Sequence, residues 1–148
     1  MFVLPRFSWA SKRLPTEVIS ADNSVAGQYA TLSRFVGNRR FSIQKLVVKP
    51  GAFLPPPDLK TSAFIIDGLA EHQIWWIADN VVAKESERGT MPARGDILAT
   101  AVLEARLTIE PDTEVHPRHV NICGWPEEKE QQKAIDLELC AAAILHLR

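Results

Sequence analysis

The segment "HPRHVNICGWP", residues 116–126, concentrates side chains that can do chemistry: His116, Arg118, His119, Asn121 and Trp125. Histidine exchanges a proton near neutral pH, and arginine holds a phosphate through its planar fork of donors. The segment is therefore typical of three things: a metal site, an acid–base site, or polar groups that fix the start of a strand and a helix.

A metal site needs both histidines on one ion, and their spacing is H-x-x-H. Pro117 and the β-rich "HVNI" predict an extended chain, in which residues three apart face opposite sides. A third ligand would have to come from His72, His146, Cys123 or a distant carboxylate, and the sequence selects none of them. We therefore predict no metal and no cofactor.

An acid–base site would use His119 as general acid or base together with an arginine and a hydroxyl group. The candidates are Arg118, Arg39, Arg40 and Arg94 for holding a phosphate, and Thr61 and Ser62 for orienting a substrate. No G-x-S-x-G, G-x-x-x-x-G-K-[ST] or G-x-G-x-x-G motif is present. The chemistry therefore depends on how the fold brings these residues together.

A purely structural role for the same segment stays open. His119 and Asn121 would then hydrogen-bond to backbone, Ile122 would enter the core, and Trp125 would cover the start of the last helix.

The elements that position these residues follow from periodicity and turn signals. We predict strands over 41–48, 61–67, 106–110 and 119–123, and helices over 69–84, 97–105 and 127–147. Asp96 is expected to cap the second helix, and Pro126 suits the first turn of the third. This order predicts an α+β fold, a small mixed or antiparallel sheet covered mainly on one face by about three helices.

The length of 148 residues fits a single domain, with 1–38 as a poorly patterned N-terminal extension and 39–148 as the core. No apolar run approaches the ~20 residues that cross a bilayer, so we expect no membrane partner. The N-terminal order of apolar before basic residues is the reverse of a secretory signal, which favours a cytoplasmic location. Cys123 and Cys140 match neither a disulfide framework nor a zinc pattern.

Charge is unevenly distributed along the chain. Residues 1–60 hold nine Lys/Arg against three Asp/Glu, whereas residues 61–148 hold eight against fifteen. This asymmetry is typical of a chain with an acidic or nucleic-acid partner, or of one whose two parts neutralise each other within the fold or across a homo-oligomer.

The stretches "RRFSIQK", "AFLPPPDLKTSAFIIDGL", "IWWIAD", "ARGDILA" and "PRHVNICGWPEEKEQQKAIDLELC" resemble a family of small bacterial proteins of unassigned activity. The resemblance covers about residues 39–148, and its most specific part is R-H-x-N-I-x-G-W-P from Arg118 to Pro126. It implies a bacterial single-domain protein and transfers no catalytic residue.

Two functions are therefore expected. The first is a cytoplasmic bacterial accessory protein that binds a protein or nucleic-acid partner. Its binding residues would be Arg118, His119, Asn121, Trp125, Thr61, Ser62 and Arg40, beside the proline connector at 55–57. The alternative is a small nuclease or nucleotide-directed transferase that uses His119 with an arginine.

Overall fold

The computed structural model describes residues 30–83 and 90–148. The strands are β1 (Thr31–Val36), β2 (Phe41–Ser42), β3 (Val47–Val48), β4 (Thr61–Ile65), β5 (Ala93–Leu98), β6 (Thr108–Pro111), β7 (His119–Cys123) and β8 (Ile144–Leu147). The helices are α1 (Glu71–Ile77), α2 (Ala99–Glu104) and α3 (Lys129–Ala142). A 3-10 turn spans Asn38–Arg40, and a π-helical turn, Ala78–Val82, continues α1.

Within the described residues, six strands form one antiparallel sheet in the order β6-β7-β4-β1-β5-β8, and β2 and β3 form a separate hairpin. The predicted α+β class, with an antiparallel sheet and about three helices, is confirmed. No helix in the described ranges combines the length and the apolar character needed to span a bilayer.

Strand β1 lies in the middle of the sheet, hydrogen-bonded to β4 on one side and β5 on the other. Its residues, 31–36, fall within the stretch expected to be an extension outside the core. The core therefore starts before residue 39. Residues 1–29 lie outside the described part of the chain.

Both faces of the sheet are packed, because side chains alternate along each strand. Leu32 of β1 belongs to the larger core cluster, which also contains Val102 of α2 and Leu139 of α3. Phe35, on the opposite face, belongs to a smaller cluster with Phe64 of β4 and the apolar side of α1. The polar residues of β4 and β7 that share this second face lie next to that smaller cluster.

Strand β5 corrects the prediction that Asp96 caps a helix beginning at residue 97. All six residues of β5 pair with β1, and the helix starts at Ala99. Asp96 is a strand residue whose carboxylate accepts a hydrogen bond from Arg94 Nε, at 3.2 Å. Strand β1 offers this segment a ladder of backbone hydrogen bonds, which outweighs a weak helical pattern.

Other predicted boundaries differ for the same kind of reason. The last helix, predicted to reach residue 147, ends at Ala142, and residues 144–147 instead form β8 along the outer edge of β5. The predicted strand 41–48 is a hairpin, because residues 43–46 form a turn in which Ser42 Oγ accepts a hydrogen bond from Lys45 N at 3.1 Å.

Candidate active site

The pairing of β4 with β7 brings a serine and a histidine into contact. Ser62 lies opposite Asn121, and Phe64 lies opposite His119, so alternate side chains of both strands share one face. From these diagonal positions Ser62 Oγ and His119 Nε2 are 2.6 Å apart. This is the geometry of a short hydrogen bond between a hydroxyl group and an imidazole.

The other ring nitrogen of His119 faces Asp112. His119 Nδ1 lies 3.0 Å from the main-chain oxygen of Asp112 and 3.6 Å from its Oδ2. Asn121 Nδ2 donates to the same Oδ2, at 3.4 Å. Both oxygens near Nδ1 are acceptors, so Nδ1 carries the hydrogen and Nε2 accepts the hydrogen of Ser62. In this tautomer His119 is set to take the serine proton.

Asp112 reaches His119 because β6 and β7 are the two arms of a hairpin. Pro111 pairs with Val120, which puts Asp112 opposite His119, and Asp112 N donates to the main-chain oxygen of His119 at 3.0 Å. The backbone of the hairpin end thus fixes the distance between Asp112 and the imidazole.

Ser62 opens onto a pocket of about 640 Å³. The pocket walls are mostly apolar, with two charged residues: Arg34, Phe35, Pro56, Asp58, Ser62, Phe64, Val81, Val82 and Val115. His119 is only 4% exposed, and its ring packs against that of Phe64 at an interplanar angle of 60°, with the ring centroids 5.2 Å apart. A ligand in the pocket therefore meets Ser62 first, with His119 directly behind it.

Arg34 hydrogen-bonds to the backbone at two places, at the pocket residue Ser62 and at Ala52. Its Nη1 donates to the main-chain oxygen of Ser62 at 2.9 Å, and its Nε donates to that of Ala52 at 3.1 Å. The guanidinium thus joins the loop before the proline connector to β4 and supplies a positive charge beside Ser62.

His116 is the second histidine of the segment, and the prediction that it diverges from His119 is wrong. Residues 117 and 118 form a turn, and the rings of both histidines meet Phe64, with centroids 6.0 and 5.2 Å away. Burial lowers the pKa of His116 to about 4, with further contributions from the charges of Arg118 and His119. Residues 30–83 and 90–148 contain no cluster of three or more ligating side chains suited to a metal ion.

Arg118 and Trp125 are interior residues, with 0% and 5% of their surface exposed. Arg118 Nη1 donates to the main-chain oxygen of Asp67 at 2.7 Å, and Trp125 Nε1 donates to that of Ile122 at 3.1 Å. Neither side chain is available at the protein surface, so the expected binding surface does not form around them.

The remaining predicted residues are dispersed. Thr61 is fully buried, and its hydroxyl group donates to the main-chain oxygen of Phe53 at 2.9 Å. Arg40 lies next to the β2–β3 hairpin, where it donates to the main-chain oxygen of Pro50, and Arg39 is in the same exposed 3-10 turn. The fold thus brings together Ser62, His119 and Asn121 of the predicted set, and leaves the others elsewhere.

Arg94, another candidate for holding a phosphate, donates hydrogen bonds to two carboxylates. Its Nη1 and Nη2 donate to the two oxygens of Glu71, at 2.9 and 2.8 Å, while its Nε faces Asp96. The Arg94 hydrogen bonds lower the pKa of Glu71 to about 2. Arg94 therefore joins α1 to β5 and has no role beside His119.

Asp112, Arg34 and Asp58 are the site residues that sequence reasoning missed. A signal existed for Asp112: if "LTIE" and "HVNI" are paired around the turn 112–118, residue 112 falls opposite 119. No comparable local signal marks Arg34, because its place depends on β1 pairing with β4, thirty residues further on.

Comparison of the chain with protein-family models, with curated proteins and with solved structures gives no match. The resemblance carried by the R-H-x-N-I-x-G-W-P motif stays a prediction.

Proposed function

We propose that the protein is a small hydrolase that cleaves carboxylic esters, with Ser62 as the nucleophile and His119 as the general base. The observation that carries the proposal is the 2.6 Å contact between Ser62 Oγ and His119 Nε2 at the wall of a pocket. A serine hydroxyl is a weak nucleophile by itself and needs an adjacent base that removes its proton.

The reaction proceeds in two half-reactions of the same type. Ser62 Oγ bonds to the ester carbonyl carbon as its proton moves to His119 Nε2, and the alcohol leaves with that proton. Water then attacks the acyl-serine with His119 again as base, which releases the acid and restores Ser62. Asp112 keeps Nδ1 protonated and stabilises the imidazolium that forms in each half-reaction.

The composition of the pocket walls supports this choice of substrate class. Phe35, Phe64, Val81, Val82 and Val115 offer apolar contact surface, which fits an ester with an apolar acyl group. Esters of longer acyl chains are therefore expected to react faster, until the chain fills the pocket.

A labelling experiment tests the nucleophile directly. A fluorophosphonate should modify Ser62, which peptide mass spectrometry locates. Ser62→Ala should abolish the adduct, and His119→Gln should slow its formation by about 100-fold or more. Ser33→Ala is the matched control, because Ser33 is a buried serine on the neighbouring strand, and it should leave labelling unchanged.

Turnover of p-nitrophenyl esters tests the nucleophile and Asp112, the partner of the base. Ser62→Ala should lower kcat/KM by about 10³-fold or more. Asp112→Ala keeps the main-chain oxygen that fixes the tautomer and removes only the carboxylate, so we expect a loss of about tenfold. Circular dichroism verifies that each variant is folded. Labelling of folded His119→Gln at the wild-type rate would refute the proposal.

A second candidate, phosphodiester cleavage with the same nucleophile, is favoured by the guanidinium of Arg34 beside Ser62. Hydrolysis of bis(p-nitrophenyl) phosphate faster than that of the carboxylic esters, and dependent on Ser62, would select this candidate.

A further inference from the structure

The β2–β3 hairpin carries apolar side chains at an exposed end. Ile43, Leu46 and Val47, here called the hairpin tip, are 65%, 64% and 44% exposed. The base of the hairpin is in the core, since Phe41 and Val48 are only 7% and 5% exposed. The hairpin tip is therefore an apolar patch on an anchored support, and such patches mark interaction sites.

The turn itself does not explain the apolar residue at its end. Leu46 has a φ of 53°, in the left-handed region that glycine or asparagine occupies at lower cost. A leucine in this conformation, with most of its surface in solvent, is unfavourable for folding. Strain of this kind at an exposed position is typical of a functional surface.

Basic residues lie along the hairpin, with Lys45 in the turn and Arg40 and Lys49 hydrogen-bonded through their backbones at the base. Arg39, Arg40, Lys45 and Lys49 are all exposed, and no Asp or Glu occurs between residues 37 and 57. The hairpin thus accounts for much of the basic excess in the first part of the sequence, and it fits a partner that is anionic and also offers an apolar layer.

We propose that the hairpin binds peripherally to an anionic membrane surface. Ile43 and Leu46 lie in the interfacial layer, and the basic side chains of the hairpin contact lipid phosphates. A membrane offers both components to a convex apolar tip, whereas nucleic acid offers only the phosphates and a protein partner needs a matching groove. This association is peripheral and needs no spanning helix. The hairpin contains none of the Ser62, His119 or Asp112 side chains, so the proposal is independent of the hydrolase.

Vesicle co-sedimentation of the full chain tests the proposal. We expect binding to phosphatidylcholine vesicles that contain phosphatidylglycerol, weak binding to phosphatidylcholine alone, and weaker binding at higher salt. The double variant Ile43→Ser/Leu46→Asn, which keeps a residue tolerant of left-handed φ at 46, should bind at least about tenfold more weakly. Lys45→Gln should cost about fivefold on anionic vesicles.

The matched control is Leu98→Ser, which removes a leucine that is 49% exposed at the end of β5. Leu98 pairs with Thr31, at the end of β1 opposite to the one that leads into the hairpin. The control should leave vesicle binding unchanged. Equal loss in Leu98→Ser and the double variant, or no binding of the wild-type chain to anionic vesicles, overturns the proposal. Salt-sensitive binding of a labelled oligonucleotide without vesicle binding would also overturn it and would identify nucleic acid as the occupant.

Discussion

Buried His116 makes the stability of this fold depend on pH in a defined window. The imidazole is 2% exposed, and Phe64 and Trp76 pack against it. Its pKa is lowered from 6.5 to about 4, first by desolvation and then by the charges of Arg118 and His119. Because the folded pKa lies below the unfolded one, the unfolded chain binds the proton first. The part of the folding stability that depends on neutral His116 is therefore present above pH 6.5 and is lost as the pH falls towards 4.

The magnitude follows from the two pKa values. One unit of pKa difference corresponds to about 1.4 kcal/mol, so protonation of His116 should remove about 1 kcal/mol by pH ~5.5 and about 2–3 kcal/mol by pH ~4.5. Urea unfolding at these two pH values and at pH ~7, followed by tryptophan fluorescence, measures the free energy of unfolding of the wild type.

The variant His116→Gln has no imidazole and should lack this loss, even if it is less stable than the wild type at neutral pH. His72→Gln is the control, because His72 is an exposed residue of α1, and it should follow the wild-type profile. Parallel profiles for the wild type and His116→Gln from pH ~7 to pH ~4.5 would contradict the assignment.

Two further predictions concern stability. Asp136, on α3, is 2% exposed and accepts hydrogen bonds from Gly51 N at 2.6 Å and Phe53 N at 2.9 Å. Asp136→Asn should therefore lower the free energy of unfolding, measured in urea, by about 3 kcal/mol. The control is Glu138→Gln, at an exposed position of the same helix, which should lower it by less than about 0.5 kcal/mol. Gly124 has a φ of 86°, and a Cβ added there would meet its nearest neighbour at an ordinary contact distance of 3.6 Å. Gly124→Ala should therefore cost about 1–2 kcal/mol from backbone strain alone, and a loss above about 4 kcal/mol in the same assay would show that this reasoning is wrong.

The local sequence pattern predicts the strand that carries His119 with its observed bounds. It predicts the neighbouring strands only in part. Residues 119–123 alternate strongly and form β7 as expected, and β4 starts at Thr61 as expected. Strand β5 was missed because "ARGDIL" contains an arginine, a glycine and an aspartate. These residues are tolerated there because Arg94 and Asp96 pair with each other and with Glu71 and His146.

The local sequence pattern also fails to predict strands β1 and β8. Each gains backbone partners from β5, a strand that is itself ambiguous in the sequence. Long-range pairing decides the state of such segments, since local propensity contributes less than the hydrogen bonds and burial that the sheet supplies.

The candidate site shows why a search for triads of side chains finds only part of it. The acceptor nearest to His119 Nδ1 is a main-chain oxygen, at 3.0 Å, and the Asp112 carboxylate lies further away, at 3.6 Å. A main-chain oxygen exists at every position, so no residue type in the sequence marks the group that selects the tautomer of His119. Hairpin register selects it instead: residue 112 faces 119 because 111 pairs with 120. The serine and the histidine were visible as residue types, whereas the group that makes the histidine a base depends on the register of two strands.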